Sequence, residues 1–160
     1  MRWAVFDSPI GALSVAADEA GVCRVHFGRT DGVAGAAPAD PVLDVALAEL
    51  RAYFAGELSR FTVPLSVRRG SEFERAVWRR MTRIPYGQTE TYGAVAAALG
   101  DRQAARAVGV ACNRNPIPVI VPCHRIVGAG GKLVGFGGGL PRKRHLLELE
   151  AAVALRQAWS

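Results

Sequence analysis

The 160-residue chain has only three cysteines, and none of its apolar runs is long enough to span a bilayer. An odd number of cysteines argues against a framework of disulfides, and in a reducing compartment a free thiol can be kept for chemistry. The N-terminus also lacks the basic and then apolar pattern of a secretory signal. We therefore expect a cytoplasmic protein that makes no use of a membrane.

Half of the residues are hydrophobic and 21% are charged, which predicts a packed core in one ordinary domain or in two small ones. The net charge of +6 is distributed unevenly. Positions 1–70 carry seven Lys or Arg and eight Asp or Glu, whereas positions 71–160 carry 13 and six. The asymmetry favours a nucleic acid as the partner of the second half, although an uninvolved basic surface would have the same composition.

The first half has the pattern of a small β-rich unit. Short runs with Val, Phe or Trp predict three strands, at 2–6, 12–16 and 22–27. After a predicted loop at 28–39, Asp40 and Pro41 predict the start of a helix that stops at Gly56. A further strand is expected at 60–65.

The second half is predicted to be mainly helical. Ser71 and Glu74 fit a capping box, and the helix that follows carries apolar residues as far as Ile84. Two more short helices, the first ending at Gly100 and the second capped by Asp101, form a candidate helix-turn-helix. The expected buried stripe of its second helix is Ala104, Ala107, Val108 and Ala111.

Arg102 and Arg106 fall outside this apolar stripe, where they either contact DNA or are merely solvated. Farther along, the apolar run 119–121 predicts a buried strand, and Pro141 begins a last helix. The fold class is thus α+β. We predict a β-rich N-terminal domain over 1–68 and a mainly helical C-terminal domain over 71–160.

Cys123 differs from the other two cysteines in its surroundings. Cys23 falls in a predicted strand and Cys112 near a helix end, where a cysteine commonly serves as a small buried hydrophobe. Cys123 instead follows a rigid proline and precedes His124, a base that could take the thiol proton directly or through water.

A histidine base needs an orienting partner, and the last helix offers two carboxylates, Glu148 and Glu150. Their spacing does not decide between them. Cys23 and His26 have a spacing typical of metal ligands, but no second ligand pair accompanies them, so no metal site is predicted.

The segment around Cys123 reads Ile120-Val121-Pro122-Cys123-His124-Arg125-Ile126. Further motifs stand around it: Ile84-Pro85-Tyr86-Gly87-Gln88-Thr89, Tyr92-Gly93, Arg106-Ala107-Val108-Gly109, Asn115-Pro116-Ile117, Gly135-Phe136-Gly137-Gly138, and Leu146-Leu147 ahead of Glu150. In sequence and order these motifs resemble the O6-alkylguanine-DNA alkyltransferase family. The resemblance covers 71–160 and extends more loosely to 7–11, 53–54 and Phe61.

The resemblance implies an RNase H-like N-terminal domain, no cofactor, and a single-use repair of O6-alkylguanine in DNA, with O4-alkylthymine as a second candidate substrate. Cys123 would accept the alkyl group, His124 would take its proton through a water, and Glu150 would polarise His124. Asn115 would brace the segment around the cysteine. Tyr92 would hydrogen-bond the guanine and donate a proton as it leaves.

The resemblance also implies double-stranded DNA bound through its minor groove, with the damaged base flipped out and the protein monomeric away from DNA. The backbone carbonyl of Ile126 and the N–H of Gly137 would hold the edge of the base. Arg106 would fill the space that the nucleotide leaves in the stack. Arg102 and Arg125 are further predicted DNA-binding residues.

The sequence departs from the family pattern at a few positions. Gly137 stands where relatives often have serine, and Arg114 stands where a small residue is common. The zinc ligands and the cysteine-rich regulatory domain of some relatives have no counterpart, so no function in transcription is expected. Three alternatives remain: a module that binds alkylated guanine without repairing it, a Cys-His hydrolase unrelated to DNA, and a helix-turn-helix regulator with a structural cysteine.

Overall fold

A computed structural model describes residues 1–30 and 39–159, and in it the chain divides into two compact units. Residues 1–68 and 116–118 form the first unit, and the rest of the chain forms the second. Most of the predicted loop at 28–39 lies outside the described residues. Among those that are described, no helix has the length and apolar character needed to cross a membrane.

The first unit contains an antiparallel sheet and one helix. Its elements are β1 (Arg2–Ser8), β2 (Gly11–Ala17), β3 (Val22–Phe27) and α1 (Pro41–Phe54). The strands lie in chain order with β2 at the centre, so the three predicted strands are confirmed. As predicted, Asp40 caps α1, because its carboxylate accepts the backbone N–H groups of Val42 and Leu43. Gly56, with φ +76°, follows the helix.

The strand predicted at 60–65 does not form, and Leu65 makes only an isolated bridge to β3. Pro64 has no N–H to donate to a ladder. The N–H of Thr62 is bound instead by the carboxylate of Glu49, 3.0 Å away. A side chain therefore takes up the backbone donor that a strand would have needed.

The second unit is mainly helical, which confirms the α+β class. Its elements are α2 (Glu72–Met81), β4 (Glu90–Thr91), α3 (Tyr92–Ala98), α4 (Ala105–Asn113), β5 (Ile126–Val127) and α5 (Leu140–Ala158). The capping box of Ser71 and Glu74 is present at the start of α2. Trp78 on this helix is buried and donates its indole N–H to the carbonyl of Ala111 on α4, at 2.8 Å.

Helices α3 and α4 form the predicted helix-turn-helix, but its second helix starts differently. The Asp101 carboxylate accepts the N–H of Gln103 within the turn, and α4 begins after Ala104 without a side-chain cap. Ala107 is exposed, whereas Val108 and Ala111 are buried. The buried stripe of α4 is therefore narrower than expected.

The strand predicted at 119–121 is also wrong. Pro118 and Pro122 flank the run, and neither has an N–H for a ladder. The chain turns at Val119, whose φ is +73°, a value that β-branched residues rarely adopt. Cys123 consequently opens a short 3-10 turn, Cys123–Arg125, instead of ending a strand.

Gly21 is expected to tolerate no side chain. Its φ is +153°, and a Cβ would lie 2.3 Å from the Pro64 carbonyl oxygen. Gly28 is a matched control, because its φ is +102° but nothing lies within 4 Å. Gly28→Ala should lower the free energy of unfolding by about 1–2 kcal/mol. Gly21→Ala should cost about 1–3 kcal/mol more, from overpacking. Urea unfolding measures both, and equal losses would contradict the steric argument.

Candidate active site

A short parallel pairing brings the two main parts of the site together. Strand β4 pairs with β5, with Glu90 opposite Ile126. Because β4 runs directly into α3, it delivers Tyr92 at the first position of that helix. Because β5 directly follows the 3-10 turn, the same pairing holds Cys123 nearby. Ile126 itself is fully buried.

Burial decides between the two candidate acids of α5. Glu150 is 1% exposed and lies on the buried face of the helix, whereas Glu148 is exposed. One carboxylate oxygen of Glu150 lies 2.7 Å from Nε2 of His124, which is itself fully buried. The structure thus pairs His124 with Glu150.

Arg125, a predicted DNA-binding residue, is turned inward, which argues against a direct contact with DNA. The side chain is buried, and its Nε and one terminal N–H donate to the two carboxylate oxygens of Glu150, at 2.8 and 3.1 Å. The other terminal nitrogen donates to the Ile84 carbonyl at 2.8 Å. Three of its five N–H donors are thus bound to acceptors within the protein.

The Ile84–Thr89 motif also surrounds the ion pair of Glu150 and Arg125. Together with His124 and Arg125 it forms a cage around the Glu150 carboxylate. Besides the Ile84 carbonyl, the segment places the ring of Tyr86 5.6 Å from the Arg125 guanidinium. The N–H of Gly87 donates to Glu150 at 3.3 Å. This motif, which the sequence analysis identified only by resemblance, therefore has a physical role. It supplies hydrogen-bond partners and an aromatic contact to the buried ion pair of Glu150 and Arg125.

Burial and the charges around Glu150 together fix the protonation states of Glu150 and His124. Burial raises the pKa of Glu150, but hydrogen bonds and charges from His124 and Arg125 outweigh burial and lower it to about 2. Burial lowers the pKa of His124, against the opposing effect of Glu150. At neutral pH an ionised Glu150 therefore faces a neutral imidazole, whose Nε2 must carry the hydrogen. Nδ1 is then left with a lone pair, and among the described residues it has no hydrogen-bond partner.

The Cys123 thiol is buried and protonated at rest. Burial raises its pKa to about 11, although a hydrogen bond from the Asn115 side chain and the positive charge of Lys143 act in the opposite direction. The Asn115 side-chain N–H also donates to the Val121 carbonyl at 2.9 Å. Asn115 thus connects the cysteine to the turn before it, and a base is required to remove the proton.

Tyr92 faces the glycine-rich segment before α5. Its hydroxyl donates to the Val134 carbonyl at 3.0 Å and lies 3.8 Å from where a Cβ on Gly135 would be. Burial raises the pKa of Tyr92 to about 12, so the phenol remains a proton donor. At Gly137 a Cβ would meet only the Asn113 carbonyl, at 3.9 Å. The serine of relatives would therefore fit there without strain.

The remaining predicted residues lie at the surface or in the core. Arg102 and Arg106 are both exposed on the helix-turn-helix. Cys112 is buried on α4, and burial raises its pKa to about 12. Cys23 is half-buried in β3 of the first unit.

Sequence reasoning missed Lys143, which is fully buried on α5. The residue lies two helical turns before Glu150, on the same face as Leu146 and Val153. A lysine in line with the apolar stripe of a helix could have drawn attention to it.

The fold and the site define a two-unit protein whose second unit contains the buried Cys123, a buried histidine–carboxylate pair and a helix-turn-helix with exposed arginines. Residues 1–67 match the ribonuclease-like domain of 6-O-methylguanine DNA methyltransferase, and residues 72–152 match its DNA binding domain. The chain belongs to this family.

Similar proteins cover the chain almost end to end. A methylated-DNA–protein-cysteine methyltransferase of Methanosarcina acetivorans is 45% identical over 95% of this chain and 99% of its own. One from Mycobacterium bovis is 44% identical over 96% and 94%. The crystal structure of Mycobacterium tuberculosis OGT in complex with DNA is 44% identical, with a TM-score of 0.86 over 96% of this chain and 94% of that one.

Removing the charge of Glu150 should be costly, because Arg125 would remain buried without its partner. Glu150→Gln is expected to lower the free energy of unfolding by about 3–5 kcal/mol. Glu148→Gln is a matched control, since this exposed neighbour should change it by about 0.5 kcal/mol at most. Urea unfolding at neutral pH measures both changes.

The stability that ionised Glu150 contributes should depend on pH. Its pKa falls from the usual 4.5 to about 2 on folding, so the contribution is complete above pH 4.5 and is lost as the pH falls towards 2. The difference between wild type and Glu150→Gln should shrink over that range. A difference independent of pH would contradict the assignment of an ionised Glu150.

Proposed function

We propose that this chain repairs O6-alkylguanine in DNA by moving the alkyl group onto its own Cys123, once per molecule. The observation that carries the proposal is the buried thiol beside a neutral His124 that Glu150 holds by a 2.7 Å contact. Family membership and relatives named as methylated-DNA–protein-cysteine methyltransferases support the same reaction.

The site offers an acceptor for the thiol proton and a donor for the leaving group. His124 takes the Cys123 proton on Nδ1, through a water molecule, and Glu150 stabilises the imidazolium that forms. The sulfur attacks the alkyl carbon in line, a C–S bond forms, and the bond from that carbon to O6 breaks. Tyr92 donates its hydroxyl proton to the departing guanine, which would otherwise carry the negative charge. The proton held by His124 then passes through water to the Tyr92 phenolate, so both side chains end neutral.

The product is a thioether, and this explains the single use. A thioether has no acidic leaving group, so the His124 and Glu150 pair that generates the thiolate has no route to hydrolyse the C–S bond. A metabolic cofactor has no part in this chemistry. Each molecule would consume one alkyl group and remain modified.

We further propose that the second unit binds double-stranded DNA through the minor groove, as a monomer, and flips the damaged base into the site. The exposed positions of Arg102 and Arg106 on the helix-turn-helix support this arrangement. Arg106 would fill the gap that the flipped nucleotide leaves in the base stack of the DNA. The Ile126 carbonyl and the Gly137 N–H would hold the base edge.

Incubation with duplex DNA carrying O6-methylguanine should add one methyl group to Cys123 and restore an equal amount of guanine. Intact mass and peptide mapping measure the protein, and nucleoside analysis measures the DNA. Cys123→Ala should abolish the transfer. Cys23→Ala and Cys112→Ala are matched controls that should still be methylated, because they leave Cys123 and the His124–Glu150 pair intact.

Three results would overturn the proposal. One is an unmodified wild-type protein, and another is repair that survives Cys123→Ala. A third is repeated turnover with no modified cysteine, which would indicate a hydrolase.

Arg106→Ala should separate base extrusion from chemistry. The rate of repair in duplex DNA should fall by about tenfold or more, because no side chain then replaces the flipped nucleotide in the base stack. The reaction with free O6-benzylguanine should keep its rate, because no base is flipped. Arg60→Ala, which removes an exposed arginine of the first unit, is the charge-matched control. Equal losses on both substrates would refute the role of Arg106.

A further inference from the structure

The exposed side of α2 carries a row of arginines. Arg75 and Arg79 are exposed and lie about one turn apart on the helix, and Arg83 is exposed in the turn that follows it. The backbone still winds helically there, because the N–H of Arg83 donates to the Arg80 carbonyl at 3.0 Å. We call Arg75, Arg79 and Arg83 the arginine row. Eight residues of helix span about 12 Å along its axis.

The arginine row has no acidic partner within residues 1–30 and 39–159. The nearest carboxylates are either engaged elsewhere or left exposed. Glu74 pairs with Arg114, and Glu90 accepts both Nε and a terminal N–H of Arg80, at 3.2 and 2.8 Å. Glu72 is exposed in the first turn of α2 and takes part in no ion pair of the described residues. The row therefore keeps a net positive charge.

The stability of α2 alone does not account for the row. A spacing of four residues places like charges side by side, and such pairs destabilise a helix. The helix dipole favours positive charge in the last turn, which accounts for Arg79. It does not account for Arg75, which lies in the first half of the helix. A polyanion would neutralise such a row, and guanidinium groups suit the oxygens of phosphates.

The helix that carries the row packs directly against the helix-turn-helix. The Trp78 indole donates to the Ala111 carbonyl of α4, and Glu74 pairs with Arg114 at the end of α4. The minor groove of DNA is about 6 Å wide, whereas a helix with its side chains is about 10–12 Å across. A helix docked there cannot enter fully. The phosphates along the walls of the groove therefore meet whatever part of the protein flanks that helix.

We propose that the arginine row is a second DNA contact of this unit, which binds the phosphate backbone beside the groove that the helix-turn-helix occupies. The contact deepens the proposed function and rests on it. Because the row meets phosphates and no base edges, its contribution to affinity is independent of base sequence and of damage. It holds undamaged DNA during the search for an alkylated base and takes no part in alkyl transfer.

Substitution of the whole row tests the contact. A triple variant with Arg75→Gln, Arg79→Gln and Arg83→Gln removes three charges but keeps long polar side chains. A second triple variant, with Lys at the same three positions, keeps the charges. Thermal unfolding establishes that each variant is folded.

The matched control is a further triple variant, Arg51→Gln with Arg60→Gln and Arg156→Gln. These three arginines are exposed and lie away from α2, two of them in the first unit and one near the end of α5. The control lowers the net charge by the same amount as the Gln variant of the row. A general effect of net charge would therefore appear equally in both.

The first readout is the affinity for a short undamaged duplex, measured by fluorescence anisotropy at several salt concentrations. Each phosphate contact contributes about 0.9 to the slope of log affinity against log salt. The Gln variant of the row should reduce this slope by about 2 to 3 and lower the affinity by about tenfold or more. The Lys variant and the matched control should stay close to the wild-type slope.

Two further measurements locate the contact. The reaction with free O6-benzylguanine should keep its wild-type rate in the Gln variant of the row, because this reaction involves no phosphate. Native mass spectrometry should find one duplex on each wild-type molecule. Two duplexes on the wild type and one on the variant would mean that the row holds a separate DNA molecule, which would overturn its placement beside the groove.

The proposal is also overturned if the folded Gln variant of the row keeps the wild-type salt slope, or if the matched control loses as much of it. The undamaged duplex carries no alkyl group, so this readout does not depend on repair. A wild-type protein that binds the duplex through the row but takes no methyl group from O6-methylguanine would refute the proposed repair alone. Repair by the wild type together with an unchanged slope in the variant would refute the second contact alone.

Discussion

The structure of the site depends on one buried carboxylate. Glu150 lies almost out of reach of water, and an isolated charge there would be prohibitively expensive. Arg125, His124 and the N–H of Gly87 together satisfy both of its oxygens. This requirement fixes the imidazole as its Nε2–H tautomer and holds α5 against the 3-10 turn. It also explains why Arg125, close to Cys123 in the chain, turns inward instead of facing solvent.

The same burial keeps the Cys123 thiol, the Tyr92 phenol and the His124 imidazole uncharged in the resting protein. The pKa of the Cys123 thiol is raised to about 11 and that of the Tyr92 phenol to about 12, while the pKa of His124 is lowered. A thiol is far less reactive than a thiolate towards oxidants and adventitious electrophiles. A thiol in this resting state is therefore protected from consumption by such reagents.

Local sequence patterns predicted much of the fold. They failed where side chains bind the backbone N–H groups that a strand needs, or where prolines lack those groups. The strands of the first sheet and the caps at Asp40 and Ser71 follow from alternation and short-range hydrogen bonds, and the structure contains them. The strand expected at 60–65 is absent because Glu49, distant in sequence, binds its N–H groups. The run 119–121 is hydrophobic because it is buried in a turn, and composition does not distinguish such a turn from a strand.

The sequence by itself singled out Cys123, its neighbour His124 and the family, because these are carried by contiguous motifs whose chemistry is local. Tertiary structure decided which residues complete the site. Glu150 is the partner of His124, and Glu148 is not, because only one of them lies on the buried face of α5. Arg125 binds the Glu150 carboxylate, and the buried Lys143 binds the carbonyls of Val134 and Gly135. Which way a charged side chain points depends on what is packed around it, and spacing along the chain does not contain that information.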